Sequence, residues 1–210
     1  MGALRAELDK EMNLVVMKAP FDLDGAREHV RSSSTNLGRI ICASLVDASG
    51  ADAAFLNGGS IRDSISEGDV TKGQLLSVLP YGNYVFVIEI YGKDILAALN
   101  HGLGQPGAGA FPQFWGMEVA TRAAELTGTD GTKKSALAVD SVTIGGKPLD
   151  PEMRYKLAIN DFLRSGGDGY AMFTKYDYSE YATLEEAFRN FVTEKGAADL
   201  RAISDATVLK

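Results

Sequence analysis

The sequence predicts a single α/β domain in which a mixed β-sheet carries helices on both faces. Short apolar runs that read as strands alternate with helical patterns along the whole chain. Several of these runs follow one another too closely for parallel crossovers, so part of the sheet must be antiparallel. No repeat, linker or low-complexity block divides the 210 residues, a length that suits one large domain or two small ones.

Composition narrows the function classes. Apolar residues make up 45% and charged residues 23%, as in ordinary globular proteins. The net charge of −7 argues against a nucleic-acid backbone or an acidic membrane surface as main partner, while leaving room for a local basic pocket. No apolar run approaches the ~18 residues that span a bilayer. The single cysteine, Cys42, cannot form an internal disulfide and reads as a small buried hydrophobe. With only His29 and His101, and no HExxH or paired-cysteine pattern, a self-contained metal site is not expected. Nothing at the N-terminus resembles a signal peptide. Residues 1–13 are expected to be an artificial start or an interdomain segment, and residues 14–210 the domain proper.

Residues 3–12 are charged and helix-prone but too short to be stable alone. Leu14 to Met17 reads as a first strand. Asp24 is expected to cap a short helix through Val30, with Arg27 and Arg31 four apart on one face. Their repulsion is compatible with a solvated face or with an anion held between two guanidinium groups. Thr35 caps a helix that carries Leu37, Ile40, Ile41 and Leu45 and ends at Gly50. Ala53 to Leu56 is a strand running into Asn57-Gly58-Gly59-Ser60-Ile61-Arg62, where backbone N–H groups would face a ligand or simply close a turn.

Thr71 caps a helix through Val78, stopped by Pro80. Tyr84 to Tyr91 alternates as a strand, with Val85, Val87 and Glu89 on one face. An amphipathic helix runs from Lys93 to Leu103, and His101 near its end suits a capping role at the negative pole of the dipole. Phe111 to Gly116 is the densest aromatic cluster, and residues 127–135 read as an exposed hairpin tip. Val139–Ile144 and Lys147–Leu149 form a hairpin about Gly145-Gly146. Tyr155 to Ile159 is a buried strand, Thr183 caps a helix through Glu194, and Thr207 to Leu209 is a last short strand.

One loop stands apart. Phe162-Leu163-Arg164-Ser165-Gly166-Gly167-Asp168-Gly169-Tyr170 follows the buried strand directly, with three glycines in four positions. Such a backbone reaches φ > 0 easily and can present Phe162 as a stacking surface and Asp168 as an acceptor. A plain glycine-rich turn has the same composition.

Five pieces in this order, RSSSTNLGR (31–39), NGGSIRDSISEGDV (57–70), LPYGNYV (79–85), GAFPQFWG (109–116) and NDFLRSGGDGY (160–170), resemble the C-terminal domain of the 5'-nucleotidase family. That family includes UDP-sugar hydrolases and cyclic-nucleotide phosphodiesterases, and the resemblance spans roughly residues 14 to 208. It implies a nucleotide-binding domain whose partner is an N-terminal metallophosphoesterase domain holding two divalent metal ions. This chain has no Asp-x-His or Gly-Asn-His-Glu, so no cofactor is expected within it, and the isolated domain is expected to bind but not hydrolyse. The resemblance assigns the base-stacking rings to Tyr81, often Phe in relatives, and Phe162. It assigns the ribose acceptor to Asp168, positions near the base to Asn83 and Gly109, and phosphate-side cations to Arg27, Arg31 and Arg62. It also implies a periplasmic, secreted or surface location. Rival readings keep the fold for cyclic nucleotides, UDP-sugars or thiosulfonate carriers, make the chain a stand-alone nucleotide-binding module, or treat the pocket as vestigial.

Overall fold

A computed structural model describes residues 2–127 and 133–210. In chain order the elements are α1 (Gly2–Met12), β1 (Val15–Ala19), α2 (Arg27–Val30), α3 (Asn36–Ser49), β2 (Ala53–Asn57), β3 (Gly68–Thr71), α4 (Lys72–Val78), β4 (Tyr84–Tyr91) and α5 (Gly92–Leu103). They continue with β5 (Pro112–Trp115), β6 (Met117–Thr127), β7 (Lys133–Ile144), β8 (Lys147–Pro148), β9 (Arg154–Asn160), α6 (Asp161–Arg164), β10 (Tyr178–Thr183), α7 (Leu184–Glu194) and α8 (Ala197–Asp205).

The central sheet has the order β10-β4-β9-β2-β5 and is mixed: β2 and β9 run parallel, and the other neighbours are antiparallel. Its inner strands β2 and β9 are buried on both faces, which is why their sequences read as short continuous runs, whereas the edge strand β10 is largely exposed. Ala54, Leu56, Val85, Val87 and Ala158 face one core with Ile41 and Leu45 of α3 and Phe188 and Phe191 of α7. Phe55, Ile88, Ile90, Leu157 and Ile159 face a second core with Ile95, Leu99 and Leu103 of α5, closed by Val119 of β6 and Val142 of β7. Helices therefore lie on both faces, as the alternation of patterns requires. Separate small sheets pair β1 with β3 and join β6, β7 and β8.

The helix starts follow from hydroxyl caps. Thr35, Thr71 and Thr183 each accept a hydrogen bond from a backbone N–H three residues on, and Thr71 with Gln74 completes a capping box. Gly50 ends α3 in the left-handed region at φ 65°.

Several local expectations need correction. Asp24 does not cap α2: its carboxylate accepts from the Ala26 N–H at 3.0 Å and pairs with His29, and the helix begins at Arg27. Glu89 shares the face of Val85 and Val87 but is exposed at its position. Residues 2–12 are helical, with Glu11 paired to Lys72 of α4. The expected hairpin about Gly145-Gly146 joins β7 to β8, with Ile144 opposite Lys147, but β7 reaches back to Lys133 to pair with β6, and part of the tip expected there, residues 128–132, lies outside the described residues. Leu209 contributes only a single bridge to Val119 instead of a strand.

Candidate functional site

The site forms at the end of the sheet where β2 and β9 release the chain and β4 takes it up. β9 ends in Asn160, whose side chain accepts from the Leu163 N–H at 2.8 Å and so starts the single turn of α6. Within that turn Leu163 is buried while Phe162 points outward, 42% exposed, unusual for an unpartnered phenyl ring. The chain then reverses through Gly166 (φ 89°), Gly167, Asp168 (φ 52°) and Gly169 (φ 84°).

The glycines do different work. Gly166 and Gly169 supply the left-handed backbone, whereas Gly167 supplies space: a Cβ there would fall 2.5 Å from the Phe162 ring. Asp168 is the one non-glycine residue at positive φ among the described residues, at a cost of roughly 1–2 kcal/mol. Two hydrogen bonds hold it there. Its Oδ2 accepts from Asn57 Nδ2 at 2.7 Å, and its backbone carbonyl is 2.8 Å from His101 Nε2. His101 therefore does not cap α5, as its position near the helix end predicts. It braces the loop, with its ring edge-on to Tyr170 at 4.8 Å.

The Asn57-Gly58-Gly59 turn is also tied inward. The Gly58 and Gly59 N–H groups donate to the carbonyls of Phe111 (2.7 Å) and Gly109 (2.9 Å), so the expected ligand-facing backbone donors are already used. Gly58 is required by proximity, since a Cβ would lie 2.0 Å from the Val30 carbonyl oxygen. Gly109 stands across from Asp168, where a Cβ would touch Oδ2 at 3.4 Å.

On the opposite wall, Tyr81 sits in the turn after α4, between Pro80 and Gly82 (φ 62°), and is 58% exposed. Asn83 anchors this turn: its Nδ2 donates to Asp161 Oδ1 at 2.6 Å and its carbonyl accepts from the Leu184 N–H. The turn bearing Tyr81 and the helix bearing Phe162 are thus linked by one side-chain hydrogen bond.

Seven of the eight residues singled out in the sequence, Arg31, Arg62, Tyr81, Asn83, Gly109, Phe162 and Asp168, line a single cleft of about 480 Å³, completed by Asn57, Gly59 and Ser60. That volume lies within the usual range of small-molecule sites, roughly 300–1,000 Å³. Arg27 is not in its wall. It stays exposed one helical turn before Arg31 and acts on the site only through its charge.

Electrostatics mark one end of the cleft. Burial, then the charges of Arg27 and Arg62, pull the Arg31 pKa down, while Asp168 and Tyr81 oppose the fall. The group remains cationic, since arginine titrates far above neutrality. Its Nε is buried with no hydrogen-bond partner among the described residues. Two guanidinium groups, Arg31 and Arg62, share the cleft wall with Arg27 one helical turn away, and the unsatisfied buried donor of Arg31 leaves room for a further acceptor such as an oxyanion. Among the described residues, no group of three or more His, Cys, Asp or Glu side chains is arranged to hold a metal ion. No helix of the described residues is long and apolar enough to cross a membrane.

Sequence reasoning did not single out the side chains of Asn57, Ser60 and Asn160, which are buried beside the cleft. Their signal was present as three polar residues at strand ends, but in a linear reading such residues look like turn formers.

Comparison with known proteins places the chain among relatives. The model of the 5'-nucleotidase C-terminal domain matches residues 14–175. The trifunctional nucleotide phosphoesterase protein YfkN of Bacillus subtilis is 37% identical over 180 residues, covering 83% of this chain but 12% of that protein. Protein UshA of Escherichia coli is 36% identical over 149 residues, covering 70% of this chain and 25% of its own length. The crystal structure of a 5'-nucleotidase precursor from Thermus thermophilus superposes with a TM-score of 0.79 at 32% identity, over 91% of this chain and 39% of that one. The chain thus spans a minor part of the length of each of these relatives.

Proposed function

This chain belongs to the 5'-nucleotidase C-terminal domain family, and from that premise we propose that it is the nucleotide-recognition domain of a phosphoric ester hydrolase. The domain comprises residues 14–210, with 1–13 as the segment leading into it. The base stacks between Tyr81 and Phe162, each contact contributing ~1–3 kcal/mol with little dependence on base identity. Asp168 accepts from the ribose hydroxyls, with Asn83 and Gly109 bordering the base. Arg31 and Arg62, assisted by the field of Arg27, hold the phosphate end.

The observation that carries this reading is the meeting of two outward-facing rings, a carboxylate and an arginine with an unsatisfied buried donor around one cleft. A flat aromatic body with a hydroxylated, anionic tail needs that combination. The names of the relatives, a nucleotide phosphoesterase and a 5'-nucleotidase, support the same class.

The chemistry belongs in this reading to an N-terminal metallophosphoesterase domain outside this chain, whose two divalent metal ions would activate water. The contribution of this chain is to bind and orient, which supplies a large share of a rate enhancement when the reacting atoms are held in line. Periplasmic or extracellular action follows from the same reading.

Titration calorimetry with AMP, adenosine and UDP-glucose tests it. Weak but saturable binding of the nucleosides is expected, since the phosphate clamp is incomplete in this domain alone. Folded protein giving no heat with any of the three contradicts it. A phosphatase assay with added Mn²⁺ is expected to stay at the blank, and turnover would refute the division of labour.

A further inference from the structure

The turn that carries Phe162 and the carboxylate of Asp168 hang on one buried polar cluster to which no ring and no arginine belongs. Asn160 lies fully buried at the end of β9, and Asn57 and Ser60 are buried at the end of β2 and in the turn after it. The Leu163 N–H donates to Asn160 Oδ1 at 2.8 Å, fixing which way the Asn160 amide faces. Asn160 Nδ2 then donates to Ser60 Oγ at 2.9 Å and to Asn57 Oδ1 at 3.3 Å. The Ser60 hydroxyl donates to that same Asn57 oxygen. With its oxygen occupied, the Asn57 amide has one orientation left, and its Nδ2 donates to Asp168 Oδ2 at 2.7 Å. Each amide accepts on one side and donates on the other, so the polarity set at the Phe162 helix is passed head to tail to the Asp168 carboxylate.

We infer that Asn160 is a positioning residue for ligand binding, holding Phe162 and Asp168 in one register through Ser60 and Asn57. The inference rests on the reading of the cleft as a nucleoside site. Two alternatives to asparagine fail for different reasons. An aliphatic residue would leave the Leu163 N–H, Ser60 and Asn57 without partners in a buried place. A carboxylate would satisfy the Leu163 N–H but cannot donate. The Ser60 hydroxyl would turn to it, Asn57 Oδ1 would lose both donors and face an anion, and the Asn57 amide would rotate. Its oxygen would then meet the Asp168 carboxylate, disturbing the acceptor that faces the ligand.

This makes Asn160→Asp the informative variant, because it keeps the helix cap and breaks only the relay. Burial among acceptors raises the pKa of the introduced carboxyl, and protonation gives it back an O–H donor. The other titratable or charged groups near it are Asp161 at the start of α6, Asp168 on the turn and His101 bracing that turn, and Arg31 and Arg62 across the cleft. All five are also present in the unaltered protein, whose own pH profile is therefore the reference.

The test is calorimetric titration of the full chain with adenosine at about pH 8 and about pH 5, values on either side of an elevated carboxyl pKa. Wild-type affinity is expected to differ little between the two. Asn160→Asp is expected to bind about tenfold more weakly at the higher pH and to recover to within about threefold at the lower, the effect of losing and regaining one buried donor. Binding equal to wild type at both pH values overturns the inference and leaves the cleft reading intact. A deficit of the same size at both also overturns it, because a merely structural lesion has no reason to titrate. No binding by folded wild-type protein overturns the cleft reading itself. Should Asn160→Asp fail to fold, Ser60→Ala decides: a loss of about threefold or more supports the relay, and unchanged affinity removes it.

Discussion

The cleft at one end of β4 and β9 contrasts with a groove at the other end of the same two strands. The groove is larger, about 750 Å³, and gathers Tyr91, Tyr176, Tyr178 and Tyr181 with Lys93, Arg154, Lys156 and Lys175. By size and cation count it is the stronger candidate. Its groups, however, largely complete one another. Lys175 pairs with Asp94 at 2.8 Å and Lys93 with Glu152 at 3.3 Å. Arg154 lies 4.6 Å over the Tyr91 ring, and Tyr178 is stacked on Phe86 at 4.1 Å. The Tyr176 hydroxyl donates to Asp94. In the cleft the corresponding capacity is left open: among the described residues Phe162 and Tyr81 stack on no other ring, and the Arg31 Nε has no partner. A binding site is recognised by interactions that the fold leaves unmade, more than by volume.

That contrast can be broken from either end. The largest expected effect is at Phe162: Phe162→Ala removes a stacking face and should weaken adenosine binding by ~1–3 kcal/mol, about fivefold to over a hundredfold, measured by calorimetry. Gly167→Ala should act on the same ring indirectly. The added methyl would occupy the place of the Phe162 edge at 2.5 Å, so the ring must move. A loss of about tenfold with little change in thermal stability is expected, since the strain is relieved at an exposed side chain. Arg62→Ala comes next. It should weaken AMP by a few-fold, in a salt-sensitive manner, and leave adenosine nearly untouched, because an exposed guanidinium contributes modestly and only to the anion.

The smallest effects belong to the groove. Lys156→Ala should leave nucleoside affinity unchanged. Asp94 offers a pH test there: burial pushes its carboxyl up, but hydrogen bonds from Lys175 and Tyr176 and the nearby lysine charges outweigh this and hold it below the usual range. A depressed folded pKa contributes stability above the ordinary carboxylate range, lost as pH falls through the folded value. Asp94→Asn should therefore cost about 1 kcal/mol near neutrality and progressively less in acid, read from urea midpoints. A cost that persists unchanged at low pH would show that packing, not charge, is what Asp94 provides.

How much of this was legible in the sequence depended on whether local chemistry or tertiary context decides. The threonine caps at 35, 71 and 183, Gly50 and the apolar strands β2, β4 and β9 were legible because each carries its own signal within a few residues. Strand β6 was not. Its middle, Thr121-Arg122-Ala123-Ala124-Glu125, is half-exposed or exposed and held by pairing with β7, which no local preference announces. Strand β10 and helix α8 escaped for the same reason, being fixed by β4 and by α3. In the site, Phe162, Asp168 and Tyr81 stood out because rings and acids beside glycines are conspicuous. Asn57 and Asn160 did not, since their partners lie 111 and 100 residues away in the chain. His101 was misread because its partner, the Asp168 carbonyl, comes from a distant loop.

The measurement that bears most directly on the central claim is the adenosine isotherm of the unaltered chain set beside that of Phe162→Ala. The account predicts saturable binding that falls at least about fivefold in the variant while both proteins unfold at similar temperatures. Binding that survives the loss of the ring undiminished would mean that the cleft between Tyr81 and Phe162 does not hold the base.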